Sequence, residues 1–183
     1  MTNSFFRHSC PARARRASPL RAATAMMLAV ALFGACGENR TAERRPDSSA
    51  SEEIPFRADG RLQIVRGDEV LADLEIEIAD DDSSRTRGMM QRTDLPGDRG
   101  MLFIFPDEED RGFWMANTPL SLDLIFIDAD STIVSIAKYM RPLSPQDVPS
   151  NGPARFVLEV IAGNADTIGI VEGDRVTWER NAP

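Results

Sequence analysis

The sequence predicts a mainly β fold: a single compact antiparallel sandwich or barrel-like domain with one or two short helices, α+β at the margin. Three observations carry this. Apolar and polar residues alternate with period two over long stretches, the sign of half-buried strands. Short apolar runs recur between turn residues. Helical signals are confined to two brief segments, and many short strands with few helices point to a layered or closed β architecture.

The elements follow in chain order. "RLQIVRG" and "EVLADLEIEIAD" alternate through Leu62, Ile64, Val70, Ala72, Leu74, Ile76 and Ile78, with a hairpin turn at Gly67-Asp68. "DDDSSRTRGMMQRTDLP" reads as one short helix, because acids and serines at its start suit the positive end of the helix dipole and Leu95-Pro96-Gly97 ends it. "GMLFIF", bounded by Gly100 and Pro106, reads as a strand buried on both faces, and "GFWM", "LDLIFID" and "TIVSIA" are further strands. "MRPLSPQDVPSNGP", with four prolines, reads as a long surface loop of the kind that carries function. "ARFVLEVIA" is a strand, "GNADTIG" a helical turn and "DRVTWE" a closing strand.

The first 35 residues form a signal rather than part of the fold. They hold five arginines and no acid, and Ala22–Gly37 carries no charge. That run falls short of the roughly 20 apolar residues of a membrane span. A basic start, an apolar middle and small residues before Cys36 read as a secretory signal. "LFGAC" resembles a bacterial lipobox, with Cys36 as the lipid attachment site and Phe33 a departure from the usual leucine. An ordinary cleaved signal is the plainer alternative. The organisation is then signal over 1–35, lipidated cysteine and disordered tether over 36–58, and β domain over 59–180. The expected location is the bacterial cell envelope, lipid-anchored and facing the periplasm or exterior.

Removing the signal leaves 16 basic against 29 acidic residues, a formal charge of −13. Such a surface repels phosphates and anionic head groups, so nucleic acid is excluded as a partner, and membrane contact falls to the lipid anchor alone. The signal also removes His8 and Cys10. Without histidine or a free thiol, a zinc site has no ligands of its usual kind and a serine or cysteine nucleophile lacks its usual base. No metal site, cofactor or catalytic residue is expected.

"SIAK" (Ser135–Lys138) has the spacing of a penicillin-binding-protein nucleophile, but a strand sends its two ends to opposite faces. The acid runs Asp80–Asp82 and Asp107–Asp110 read as solvated turns. "DADSTIVSIAKY" fails as a calcium loop at Ile133 and Tyr139. Asp123 and Glu159 differ, because each sits within an apolar strand, and such carboxylates are rarely buried unpaired. Arg87, Arg92, Arg111 and Arg155 are the available partners. Two such carboxylates would also serve a glycosidase-type acid–base pair. Trp114 points away from Phe113 and Met115, and with Asn117 it would flank a groove for a flat or sugar-like ligand; packing under the proline loop is the alternative.

"RGMMQR", "GMLFIF", "FWMANTPLSLDLIFID" and "ARFVLEVIAGNADTIGIVEGDRV" together resemble the domain of unknown function 192 family, in that family's order and over nearly all of residues 61–177. The resemblance implies a compact mainly β domain, often exported, and brings no activity, cofactor or catalytic residue. Its signature falls on Arg87, Gly88, Arg92, Gly100, Trp114, Asn117, Thr118, Asp123, Glu159, Gly163 and Gly173. The glycines fit turns at positive φ. The functional expectation is an envelope lipoprotein acting as a non-catalytic binding or accessory module for a small molecule, glycan or envelope protein. A carboxylate-dependent hydrolase of envelope glycan or peptide is the alternative. The candidate ligand-binding residues are Arg87, Trp114, Asn117, Asp123 and Glu159, with Arg87 expected to pair with Asp123 or Glu159.

Overall fold

The computed structural model describes residues 54–182. The signal, Cys36 and the tether up to residue 53 lie outside the described residues. The elements are β1 (Gly60–Arg66), β2 (Glu69–Ala79), α1 (Asp82–Arg87), β3 (Arg99–Phe113), β4 (Leu122–Ile127), β5 (Ile133–Met140), β6 (Val148–Ile161), α2 (Asn164–Ile168) and β7 (Arg175–Arg180). They build one seven-stranded sheet in the order β5-β4-β6-β3-β2-β1-β7.

Pairing is antiparallel as expected except between β2 and β3, which run parallel. A parallel pair needs a crossover rather than a tight turn. Residues 80–98 supply it and carry α1. The sheet curls until its two ends meet: Thr132 bridges Arg175, and the Ile133 N–H donates to the Asp174 carbonyl at 2.8 Å. The Val176 N–H donates to the Ser131 carbonyl, also at 2.8 Å. The result is a half-barrel with part of each edge covered.

Period two then decides which residues share a face. Leu102, Ile125 and Leu158 lie in one apolar cluster with Leu62, Ile76 and Ile133. Met101, Phe103, Leu124, Phe126 and Val157 lie in a second, on the other face, with Met89 and Met115. Each fully buried side chain of this size contributes about 1.5–3 kcal/mol relative to exposure.

Four details differ from expectation. β3 does not stop at Pro106 but continues through the acid run to Phe113, with a pairing irregularity between Ile104 and Glu109. The proline loop is shorter than it reads, because Pro149 and Pro153 belong to β6. The helical segment is confined to Asp82–Arg87, with Gly88 at φ +45° closing it. The end of the expected tether is packed on the domain. Phe56 lies against the second cluster with the Arg99 guanidinium 4.6 Å over its ring, and the Arg57 N–H donates to Glu77 Oε1 at 3.0 Å.

Candidate functional site

Glu159 sits near the C-terminal end of β6, flanked by Met101 of β3 and Leu124 of β4. Its side chain points into the second cluster beside Val157. The residue is buried, and its Oε2 is enclosed with no hydrogen-bond partner. A carboxyl so placed pays the full cost of desolvation when charged. Burial pushes its pKa from 4.5 up to about 8, with no other cause acting on it.

Glu159 lines a cavity of about 350 Å³. Buried Phe103, Met89 and Thr118 form the floor with Glu159. Exposed Arg87, Trp114 and Asp147 form the rim, and Phe105 and Phe113 stand between. The aromatic walls interlock edge to face, Phe113 meeting Phe103 at 5.1 Å and Phe105 at 6.2 Å between ring centroids.

One wall is α1. Its start is fixed by a capping box in which Asp81 Oδ1 accepts the Ser83 and Ser84 N–H groups. Arg85 ties it to β3 by donating to the Ile104 carbonyl at 2.8 Å, and pairs with Asp82 at 2.6 Å. Gly88 lies so close to Phe103 that a Cβ there would come within 3.1 Å of the ring. Arg87, by contrast, is exposed and makes no ion pair with any described residue.

The opposite wall is the turn after β3. Trp114 is 57% exposed while Phe113 and Met115 turn inward. Main-chain bonds hold the turn: Gln91 N–H to the Asn117 carbonyl at 2.8 Å, and Leu143 N–H to the Thr118 carbonyl at 3.0 Å. Gln91, Asn117 and Leu143 all adopt positive φ, near 60°. For residues with a Cβ that conformation costs about 1–2 kcal/mol, least for Asn. These three strained residues hold the turn in its shape.

The expected site residues therefore separate. Arg87, Trp114 and Glu159 line one cavity. Asn117 does not; it is exposed beside the cavity and shapes the turn through its backbone. Asp123 does not either, and its expected arginine partner is replaced by main chain. Its carboxylate accepts the N–H groups of Tyr139 at 2.8 Å, Gly163 at 2.9 Å and Ala165 at 3.0 Å, fixing the approach to α2. Register pairs Asp123 with Val160 and Leu124 with Glu159, so the two acids lie on opposite faces of the sheet. That arrangement removes Asp123 and Glu159 as the two acids of a hydrolase, since they do not share a cleft. The expected Arg87–carboxylate pair is also absent among the described residues. The buried ion pair that does form joins Arg92 to Glu77 at 2.6 Å, on the face of β2 expected to meet solvent.

Sequence reasoning missed Asp147 and the phenylalanine walls. Asp147 had no signal beyond its place in the proline loop. The phenylalanines read as ordinary core, and Phe103 is indeed core as well as floor.

The DUF192 family model, described as an uncharacterized ACR, matches residues 63–178. A solved structure from Sinorhizobium meliloti 1021, described as a candidate transcription regulator, is 35% identical with a TM-score of 0.64, covering 68% of this chain and 97% of that one. Another from Novosphingobium aromaticivorans DSM 12444, a protein of unknown function, is 31% identical with a TM-score of 0.62, covering 64% and 84%. No curated protein matches the chain.

Proposed function

Because the chain belongs to the domain of unknown function 192 family, which brings a fold and no assigned activity, we propose a function from the cavity itself: a non-catalytic module that binds a small molecule between α1 and the Trp114 turn. The supporting observation is Glu159, a residue that lines that cavity and carries a buried carboxyl oxygen with no hydrogen-bond partner. A polar group left unsatisfied in a core costs about 1–3 kcal/mol or more. A ligand able to bond it recovers that cost, and the indole at the rim adds apolar contact. A concave site that combines aromatic walls with polar and charged groups suits a small molecule.

The sequence before residue 54 supports an address. The signal and lipobox reading makes this a lipoprotein held at the cell envelope through Cys36, its domain on a tether. Metabolic labelling with a fatty acid tests the anchor: Cys36→Ala abolishes the label, and a label that survives refutes it. The binding reading is tested by screening a small-molecule library against the indole fluorescence of the protein, with Trp114→Phe as control. Hits whose signal is lost in the variant support the reading. Hits that respond equally in the variant place binding elsewhere and refute it.

A further inference from the structure

Four features of the cavity restrict what it accepts. First, of its two buried polar residues, Thr118 and Glu159, one is an acid with an unused oxygen. Second, that acid is paired with no cation among the described residues. Its strand neighbours are Met101 and Leu124, and the charged groups lining the cavity are Arg85 and Arg87 from α1 and Asp147 from the loop before β6. Arg85 is already committed to Asp82 and to main-chain carbonyls. Arg87 and Asp147 stand on the rim, exposed and of opposite sign. Third, the walls are aromatic, and aromatic faces attract cations. The same ring cluster already does so, with Arg111 stacked 4.1 Å and Arg85 5.5 Å from the centre of Phe105. Fourth, the segment after the expected cleavage carries a strong excess of acids, 29 against 16 basic residues, which draws cations rather than anions.

Resting on the binding reading above, we infer that the cavity takes a small organic amine, its ammonium pairing with Glu159 and its apolar stem lying against Phe103, Phe113 and Trp114. The ammonium supplies the donors that an ionised Oε2 lacks, while an anion would gain no charge pair from Glu159 in either protonation state. Burial keeps the Glu159 carboxyl protonated up to about pH 8. Binding an already charged amine at neutral pH therefore sends one proton from Glu159 to solvent. Affinity rises with pH, approaching tenfold for each pH unit below about 8 and flattening above it.

The test uses three compounds of one shape, phenethylamine, 2-phenylethanol and phenylacetate, titrated into the protein while the Trp114 indole N–H is followed by NMR. The amine is expected to bind at least about tenfold more tightly than either control. Its affinity should climb from pH 6 to pH 8, and Glu159→Gln should flatten that climb. Tighter binding of the alcohol or the carboxylate overturns the amine assignment and leaves small-molecule binding standing. An amine affinity that is level from pH 6 to pH 8 in the unaltered protein also overturns it, whether or not the variant folds. No response to any of the three overturns the amine assignment, while the library screen judges the binding reading separately.

Discussion

Replacing Glu159 by glutamine should make the domain's stability nearly independent of pH across a range where the unaltered protein steadily weakens. In the unfolded chain the carboxyl releases its proton near 4.5, and in the fold it holds that proton up to about 8. The folded state therefore binds more protons between the two values. Stability from this group is fully present below the lower one, falls as pH rises, and levels off above the upper one. Each pH unit in that interval contributes about 1.4 kcal/mol. From about pH 5 to about pH 9 the loss is then about 4 kcal/mol, a large part of the ~5–15 kcal/mol that a domain of this kind has. Other shifted groups leave the window clear. The pKa values of Asp81 and Asp174 are lowered, chiefly by the Ser84 N–H and by the Arg66 guanidinium respectively, and titrate below it. The Tyr139 phenol, raised by its bond to Asp166, titrates above it. Glutamine keeps the shape and cannot ionise; whatever its amide costs in that pocket does not change with pH. Urea denaturation of both proteins at pH 5, 7 and 9 reads the effect. The stability difference should move by about 4 kcal/mol in favour of the variant. Curves that stay parallel within about 1 kcal/mol would refute the account, since Glu159 would then be ionised in the fold.

Three further outcomes follow from the same contacts. Arg87→Ala should shift unfolding by no more than about 0.5 kcal/mol, because the side chain is exposed without an ion pair among the described residues; a loss above 2 kcal/mol in denaturant would show a hidden partner. Arg92→Ala should cost about 3–5 kcal/mol, because it removes the buried partner of the Glu77 carboxylate and leaves it only Arg57 at the domain edge; calorimetry showing no fall in melting temperature would contradict that. Asp123→Ala should cost about 3 kcal/mol or more by orphaning the N–H groups of Tyr139, Gly163 and Ala165. Hydrogen exchange should then speed up at α2 first, and protection that stays unchanged there would argue against the role given to Asp123.

The strands were legible because each buries at least one face and so carries an apolar period. What was not legible depended on partners distant in sequence. Pro106 and the acids after it read as a turn, yet β3 continues past them. Its pairing with β6 is irregular between Ile104 and Glu109, so Pro106 has no regular ladder position to fill. Pro149 and Pro153 read as loop, yet β6 pairs with β4 only over Phe156–Ile161, which leaves the earlier part of β6 without a β4 neighbour to need their missing N–H. For the site, Asp123 and Glu159 were both rightly marked as acids inside apolar strands. Their fates diverge because one meets three main-chain donors and the other meets none, which no spacing encodes. Glu77 escaped notice because the polar positions of an alternating strand look solvated until Arg92 is brought over them. Gly100 was marked with glycines needing positive φ; its requirement is space instead, since a Cβ there would lie 2.8 Å from the Glu159 carbonyl.

The pairing of β1 with β7 sets Gly60 opposite Arg180, joining the two ends of the domain. A chain growing from its N-terminus can form the β1–β2 hairpin early, since that contact is local. It cannot cover the outer edge of β1, nor lock Ser131–Ile133 to Asp174–Val176, until its last strand has emerged. Contacts so far apart in sequence are slow to form, and the loop between them must close before they repay its entropy. Completion of this fold therefore waits for β7, and a chain that stops before Arg175 keeps both ends of its sheet open.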